Sequence, residues 1–350
     1  MSRARSIGTF VFVLVSVLLL LLLIVLPALA SLLAQSTGGG PAWLSDLLNF
    51  SEGFTQWFMV VFVVVWIFVL GATFASFLNV VAWRVPRGRS ILGSSHCPNC
   101  NIKLTFKDNI PIVGWLKNGG QCSSCKASFS IRYLIVEFVL GTIFLLIAAI
   151  IITTGGATLP FREPDKLSHW WSLIFDPRME LLQIIAYHWV LILVLYTFAL
   201  IEMEWLKIPV SVWLVGAFFG VLIASVWPNV NLVVWHAPYE VVFSKHPHVT
   251  LVATVVCGLA SGLVLGWLLD QCRYTANQPN SFVLGATTVG LFLGWQSALV
   301  VVAIAATVLL FTTLLPISNS VARNLLRSPH SNLLLATLLH LATWSWFDRV

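Results

Sequence analysis

The chain has 350 residues, of which 9% are charged and 59% hydrophobic, with a formal net charge of +6 and a mean hydropathy of +0.93. That balance excludes an ordinary soluble domain, in which about a quarter of residues are charged, and requires several segments of about 20 apolar residues that cross a bilayer. The positive charge is concentrated in one loop between apolar segments, which is a topology signal and not a nucleic-acid footprint.

In chain order, Arg3 and Arg5 precede an apolar run over residues 7–33. Ala28-Leu29-Ala30 resembles a signal-peptidase site. The run is longer than the roughly 7–15 apolar residues of a signal peptide, however, so an uncleaved first helix with an inside N-terminus is favoured. Further spans are predicted over residues 54–82, 133–153, 181–201, 208–226 and 250–269, followed by apolar blocks over 282–315 and 332–346. The block 282–315 is too long for one helix, and Gly294-Trp295-Gln296 in its middle predicts a break. The expected fold class is an all-α polytopic membrane protein with about eight or nine transmembrane helices and a small zinc-ribbon-like insertion. Three regions follow: residues 1–53, a transmembrane helix or signal-anchor with an outside loop; 54–137, carrying the insertion; and 138–350, a transmembrane domain.

Residues 84–132 hold eight Lys/Arg and one acidic residue, Asp108. The positive-inside rule places this loop in the cytoplasm, and counting spans from an inside N-terminus gives the same side. Residues 34–53, 155–180 and 227–249 are then outside, and His169-Trp170-Trp171 and Trp235-His236 read as interfacial aromatic-belt residues.

The cytoplasmic loop contains Cys97-Pro98-Asn99-Cys100 and Cys122-Ser123-Ser124-Cys125, two C-x2-C pairs separated by 21 residues. Each pair places two thiolates on one turn, and two such turns together form the tetrahedral S4 site that Zn2+ prefers. In a reducing cytosol, ligation is favoured over disulfides. With four cysteine ligands the ion is expected to be structural. Cys257 reads as a packing residue inside a span, and nothing near Cys272 argues for a reactive thiol. The histidines, among them His188, His330 and His340, lack metal-ligand spacing; His246-Pro247-His248 is expected in a solvated outside loop.

A longer pattern surrounds the cysteines. Residues 71–88 include Ser76-Phe77-Leu78-Asn79-Val80-Val81 and Arg84-Val85-Pro86, followed by His96-Cys97, Asp108-Asn109-Ile110-Pro111 and Ile131-Arg132-Tyr133, with Glu137 beyond. This run resembles the N-terminal domain of type IV prepilin peptidases. The resemblance implies an inner-membrane enzyme that cuts the leader from prepilins or pseudopilins at the cytoplasmic face. It also implies methylation of the new N-terminus with S-adenosylmethionine in many members, and a partner set of prepilin substrates and membrane lipid.

The family carries two aspartates at the membrane surface, where one carboxylate activates water while the other, protonated, polarises the carbonyl. Here the first aligns with Glu202 and the second with Phe282, which cannot carry a proton. Glu202 is the expected catalytic carboxylate, with Asp270, twelve residues upstream of Phe282, as the candidate partner. An interfacial pair of Glu202 with Lys207 is the structural alternative, and Glu204 should face away from Glu202. Function therefore divides between prepilin processing and a catalytically degenerate, prepilin-binding or assembly scaffold. A transporter is disfavoured by the scarcity of charges within the spans.

Overall fold

The computed structural model describes residues 42–159, 177–230, 247–272, 282–314 and 328–347. The apolar run over 7–33, the motifs around His169 and His236, and His246 lie outside the described residues; Pro247 and His248, expected in a loop, instead begin a helix. The chain divides into two units, Met1–Trp66 and Ile67–Val350. The described part of the first is helical throughout, and the second holds the metal loop and the remaining helices.

Eight α-helices carry the described fold: α1 Ala42–Arg84, α2 Val113–Lys117, α3 Arg132–Thr153, α4 Met179–Met203, α5 Val210–Val226, α6 Pro247–Cys272, α7 Val283–Leu314 and α8 Pro329–Phe347. Among the described residues there is no strand, only two isolated β-bridges. Among the described residues, five helical stretches are long and apolar enough to cross a membrane, and the 17-residue α5 is a shorter apolar helix. The all-helical membrane architecture is as expected. Several boundaries differ from the sequence expectation. Residues 42–53, read as loop, continue α1, α6 begins at Pro247 instead of Thr250, and α8 begins at Pro329 instead of Asn332. Ser328 followed by proline is a helix-start signal: the hydroxyl accepts from the Ser331 N–H at 3.3 Å, and proline at the first position has no N–H to leave unpaired.

Helix α4 is the centre of the second unit, packing against α3, α5, α7 and α8. Its residues 194–202 are buried without interruption. A helix that is apolar all round belongs in such a position, surrounded by other helices. The α6–α7 pair is closer still. Cβ atoms added at Gly258, Gly262 and Gly266 would lie 1.9, 2.5 and 2.7 Å from backbone atoms of Gly290, Ala286 and Val283. The descending partner numbers make the pair antiparallel, and the i, i+4 glycine spacing brings the two backbones into contact, as small-residue stripes do in membranes. The predicted break in α7 is present at Gly294, with φ 82° and ψ 176°, a conformation open essentially to glycine alone.

Candidate metal centre and the buried Glu202 cluster

The two C-x2-C segments build the same turn twice. Cys97 N–H donates to Ile102 O and Asn101 N–H to Cys97 O, each at 2.9 Å; Cys122 N–H donates to Ala127 O and Lys126 N–H to Cys122 O at 2.9 and 3.1 Å. Asn101 and Lys126 both adopt positive φ, 55° and 60°, and the bridges His96–Lys103 and Gln121–Ser128 close the two hairpins. All corresponding residues are offset by 25.

The hairpins bring the four sulfurs within 4.8 Å of one another. Cys97 Sγ lies 3.7 Å from Cys125 Sγ, and Cys100 Sγ lies 3.9 Å from Cys122 Sγ. A tetrahedron of thiolates about 2.3 Å from an ion has edges of about 3.8 Å, whereas a disulfide needs about 2.05 Å. The donors therefore fit a metal ion. The Asn99 side-chain amide and the Ala127 backbone N–H pull the Cys125 thiol down to about 6, and the N–H groups of Cys100 and Asn99 lower that of Cys97. The Ile102 N–H acts in the same direction on Cys100, but desolvation and the other three sulfurs outweigh it and push that thiol up to about 11. Four clustered thiolates repel, and full ionisation of the set needs a cation among them.

The segment joining the hairpins is tied down by two carboxylates. Asp108 Oδ2 accepts from the Thr105 N–H and hydroxyl at 3.0 and 2.6 Å, and its Oδ1 accepts from Asn118 at 2.9 Å. The Thr105 and Asn118 bonds hold the Asp108 carboxyl below its ordinary range. Ile112 sits at φ 63°, ψ −55°, with Val113 N–H bonded to Pro111 O across it at 2.6 Å; this is a strained γ-turn for a β-branched residue. Buried Glu137 on α3 accepts the Ile112 N–H at 2.7 Å and fixes that turn to the membrane helix. Before the first hairpin, the Arg84 guanidinium donates to the carbonyls of Ser90, Ile91, Leu92 and Ser94 at 3.2–3.4 Å, gathering the approach to Cys97.

Glu204, at the C-terminal end of α4, ion-pairs with Arg132 and, at 3.5 Å, with Arg87. It faces the metal loop and away from Glu202, as expected. The pairs are 21–33% exposed, so their contribution is about 0.5–1 kcal/mol. Glu204→Ala is expected to speed tryptic nicking at Arg87 and Arg132 about two- to fivefold, with no change in the helical circular dichroism.

Glu202 is buried, and its partner is not Lys207. Its Oε2 accepts three bonds, from the Ser328 hydroxyl at 2.5 Å, the His330 backbone N–H at 3.0 Å and the His330 ring Nδ1 at 3.1 Å. Glu202 Oε1 and His330 Nε2 are buried without a hydrogen-bond partner among the described residues. The carboxylate thus occupies the N-terminus of α8, where backbone N–H groups and the helix dipole favour an anion. Asp270 Oδ1 accepts the Phe282 N–H at 3.0 Å, at the start of α7. Glu202 and Asp270 are not hydrogen-bonded to each other. Phe282 itself is fully buried. Sequence reading missed His330 and Ser328, because their partner lies 126–128 residues away and no local spacing announces it.

Residues 69–151 match the model of the bacterial peptidase A24 N-terminal domain. A prepilin leader peptidase/N-methyltransferase of Myxococcus xanthus is 36% identical over 118 residues, covering 30% of this chain and 34% of that protein. One of Neisseria gonorrhoeae is 35% identical over 153 residues, covering 31% and 54%. A type 4 prepilin-like proteins leader peptide-processing enzyme of Escherichia coli is 34% identical over 106 residues, covering 25% and 39%. The alignments therefore span about a third to a half of these curated relatives. No solved structure matches the chain. The resemblance read from the motifs holds over the segment that contains the metal loop.

Proposed function

We propose, from the premise that residues 69–151 form an A24-type N-terminal domain, that this chain processes type IV prepilins or pseudopilins at the cytoplasmic face of a bacterial inner membrane. The observation that carries the reading is the match of that domain, with its paired cysteine hairpins, to proteins named for prepilin leader processing. The eight Lys/Arg of residues 84–132 support a cytoplasmic position for the metal loop. In this reading the S4 centre holds Zn2+ in a structural role, residues 54–137 present the substrate, and residues 138–350 form the peptidase-like membrane domain. S-adenosylmethionine is implied by the relatives' names alone, and no residue here is assigned to it.

Cleavage is assigned to Glu202 together with a second proton-handling group, for which Asp270 is the carboxylate candidate. A second reading, a prepilin-binding scaffold, is favoured by the buried Phe282 at the second acid position. Incubation of the purified protein with a prepilin, with release of the leader followed by mass spectrometry, separates the two. Cleavage that disappears in Glu202→Ala is the expected result. A prepilin that is retained by the protein but keeps its leader establishes the scaffold instead.

A further inference from the structure

The four polar groups that meet between α4, α7 and α8 are arranged for more than holding helices together. All three donors converge on Glu202 Oε2, which makes that oxygen the acceptor of a carboxylate and puts a proton on His330 Nδ1. Two atoms of the pair remain uncommitted, Glu202 Oε1 and His330 Nε2, both buried and without a partner among the described residues. The His330 ring packs edge-on against Phe198 at 5.4 Å and lies against Gly285, whose added Cβ would be 3.1 Å from ring Cδ2 and 3.5 Å from Nε2. Gly285 is three residues beyond Phe282, so the imidazole reaches the first turn of α7, where the sequence has lost its acid.

We propose that His330 is the second proton-handling group of this chain, acting beside Glu202 in place of a second carboxylate. The proposal deepens the processing activity above and rests on it. The step starts with Glu202 ionised and the His330 ring carrying a proton on each nitrogen, one held by Glu202 Oε2 and one on Nε2. As a water oxygen bonds to the scissile carbonyl carbon, Glu202 Oε1 takes the water proton and the Nε2 proton passes to the carbonyl oxygen. On collapse, that proton returns to Nε2, the proton on Oε1 goes to the leaving nitrogen, and the C–N bond breaks. Water and peptide are the only reactants, and a carboxylic acid and an amine the only products. The cluster is closed in this structure, and the proposal requires the first turn of α8, with Leu333 and His330 against Gly285, to draw back for a peptide to enter.

A purely structural clamp predicts different behaviour for His330→Asn, whose amide reproduces the Nδ1–H donor to Glu202 but supplies nothing at Nε2. Prepilin cleavage by the protein in lipid nanodiscs is measured for wild type, His330→Asn and His330→Gln. The expected result is a fall in kcat of at least about 100-fold for His330→Asn, the scale of general acid–base catalysis. KM is expected to stay within about twofold. His330→Gln, which carries its amide further out toward Nε2, should retain more activity than the asparagine variant, and it decides the matter if the latter fails to fold. Wild-type rates in His330→Asn overturn the proposal and leave the processing reading standing. A wild-type protein that does not cleave removes that reading and the role of His330 with it.

Discussion

Cys122→Ser is expected to empty the metal centre and unfold the loop between α1 and α3. The buried positions within residues 88–131 are Cys97, Gly114, Gly120 and Cys122, two ligands and two glycines. No apolar side chain is buried there; Leu92 and Phe106 are instead 83% and 84% exposed. A segment of this size without a core has little to offset the entropy of ordering its backbone, about 1–2 kcal/mol per residue. Small structural zinc sites supply about 10–16 kcal/mol at neutral pH. Losing one ligand therefore removes the main source of order in the loop. Elemental analysis should find about one ion per chain in the wild type and close to none in Cys122→Ser. The variant should also be cut by trypsin at Lys103, Lys107 and Lys117 under conditions that leave the wild type intact. A metal-free wild type with unchanged resistance would show that the hydrogen bonds of the two hairpins suffice.

The second large effect is expected at the α6–α7 contact. In Gly258→Val the new side chain starts 1.9 Å from the Gly290 carbonyl oxygen, and that oxygen belongs to a helix backbone that cannot rotate aside. Overpacking usually costs about 1–3 kcal/mol, and a clash with the Gly290 backbone places this substitution at about 3 kcal/mol or more. Cys257, one residue earlier, is exposed on the same helix, so Cys257→Val should change stability by no more than about 0.5 kcal/mol. Detergent-induced unfolding followed by circular dichroism compares the two. Equal stability of the two variants would mean that the helices are not in backbone contact.

The features most legible in the sequence were those set by near neighbours in the chain. The hairpins were readable because each pair of thiols is fixed by a four-residue spacing, and the break in α7 because Gly294 interrupts an apolar run too long for one span. The start of α8 was written locally too, in Ser328-Pro329, but the apolar pattern from Asn332 onward gave a later boundary. What was not legible depends on tertiary packing. Glu202 finds its partners at the start of α8 and Glu204 its partners on either side of the metal loop, so two acids separated by one residue acquire unrelated environments. Lys207, the cation nearest to Glu202 in sequence, is exposed, whereas Glu202 is buried. Burial therefore overrode proximity along the chain.

The geometry at Gly294 divides α7 into two rods with different mechanical circumstances. The one before it, ending at Leu293, is welded along its glycine face to α6 and moves with that helix as a single plank. The one after it, residues 295–314, turns outward apolar residues such as Leu310, Phe311 and Leu314, each at least 60% exposed. An interrupted helix also frees carbonyl groups from their usual partners at membrane depth, where water is scarce. Any rocking of this half of the protein within the bilayer is therefore expected to pivot about Gly294, with the plank held still and the outer rod swinging.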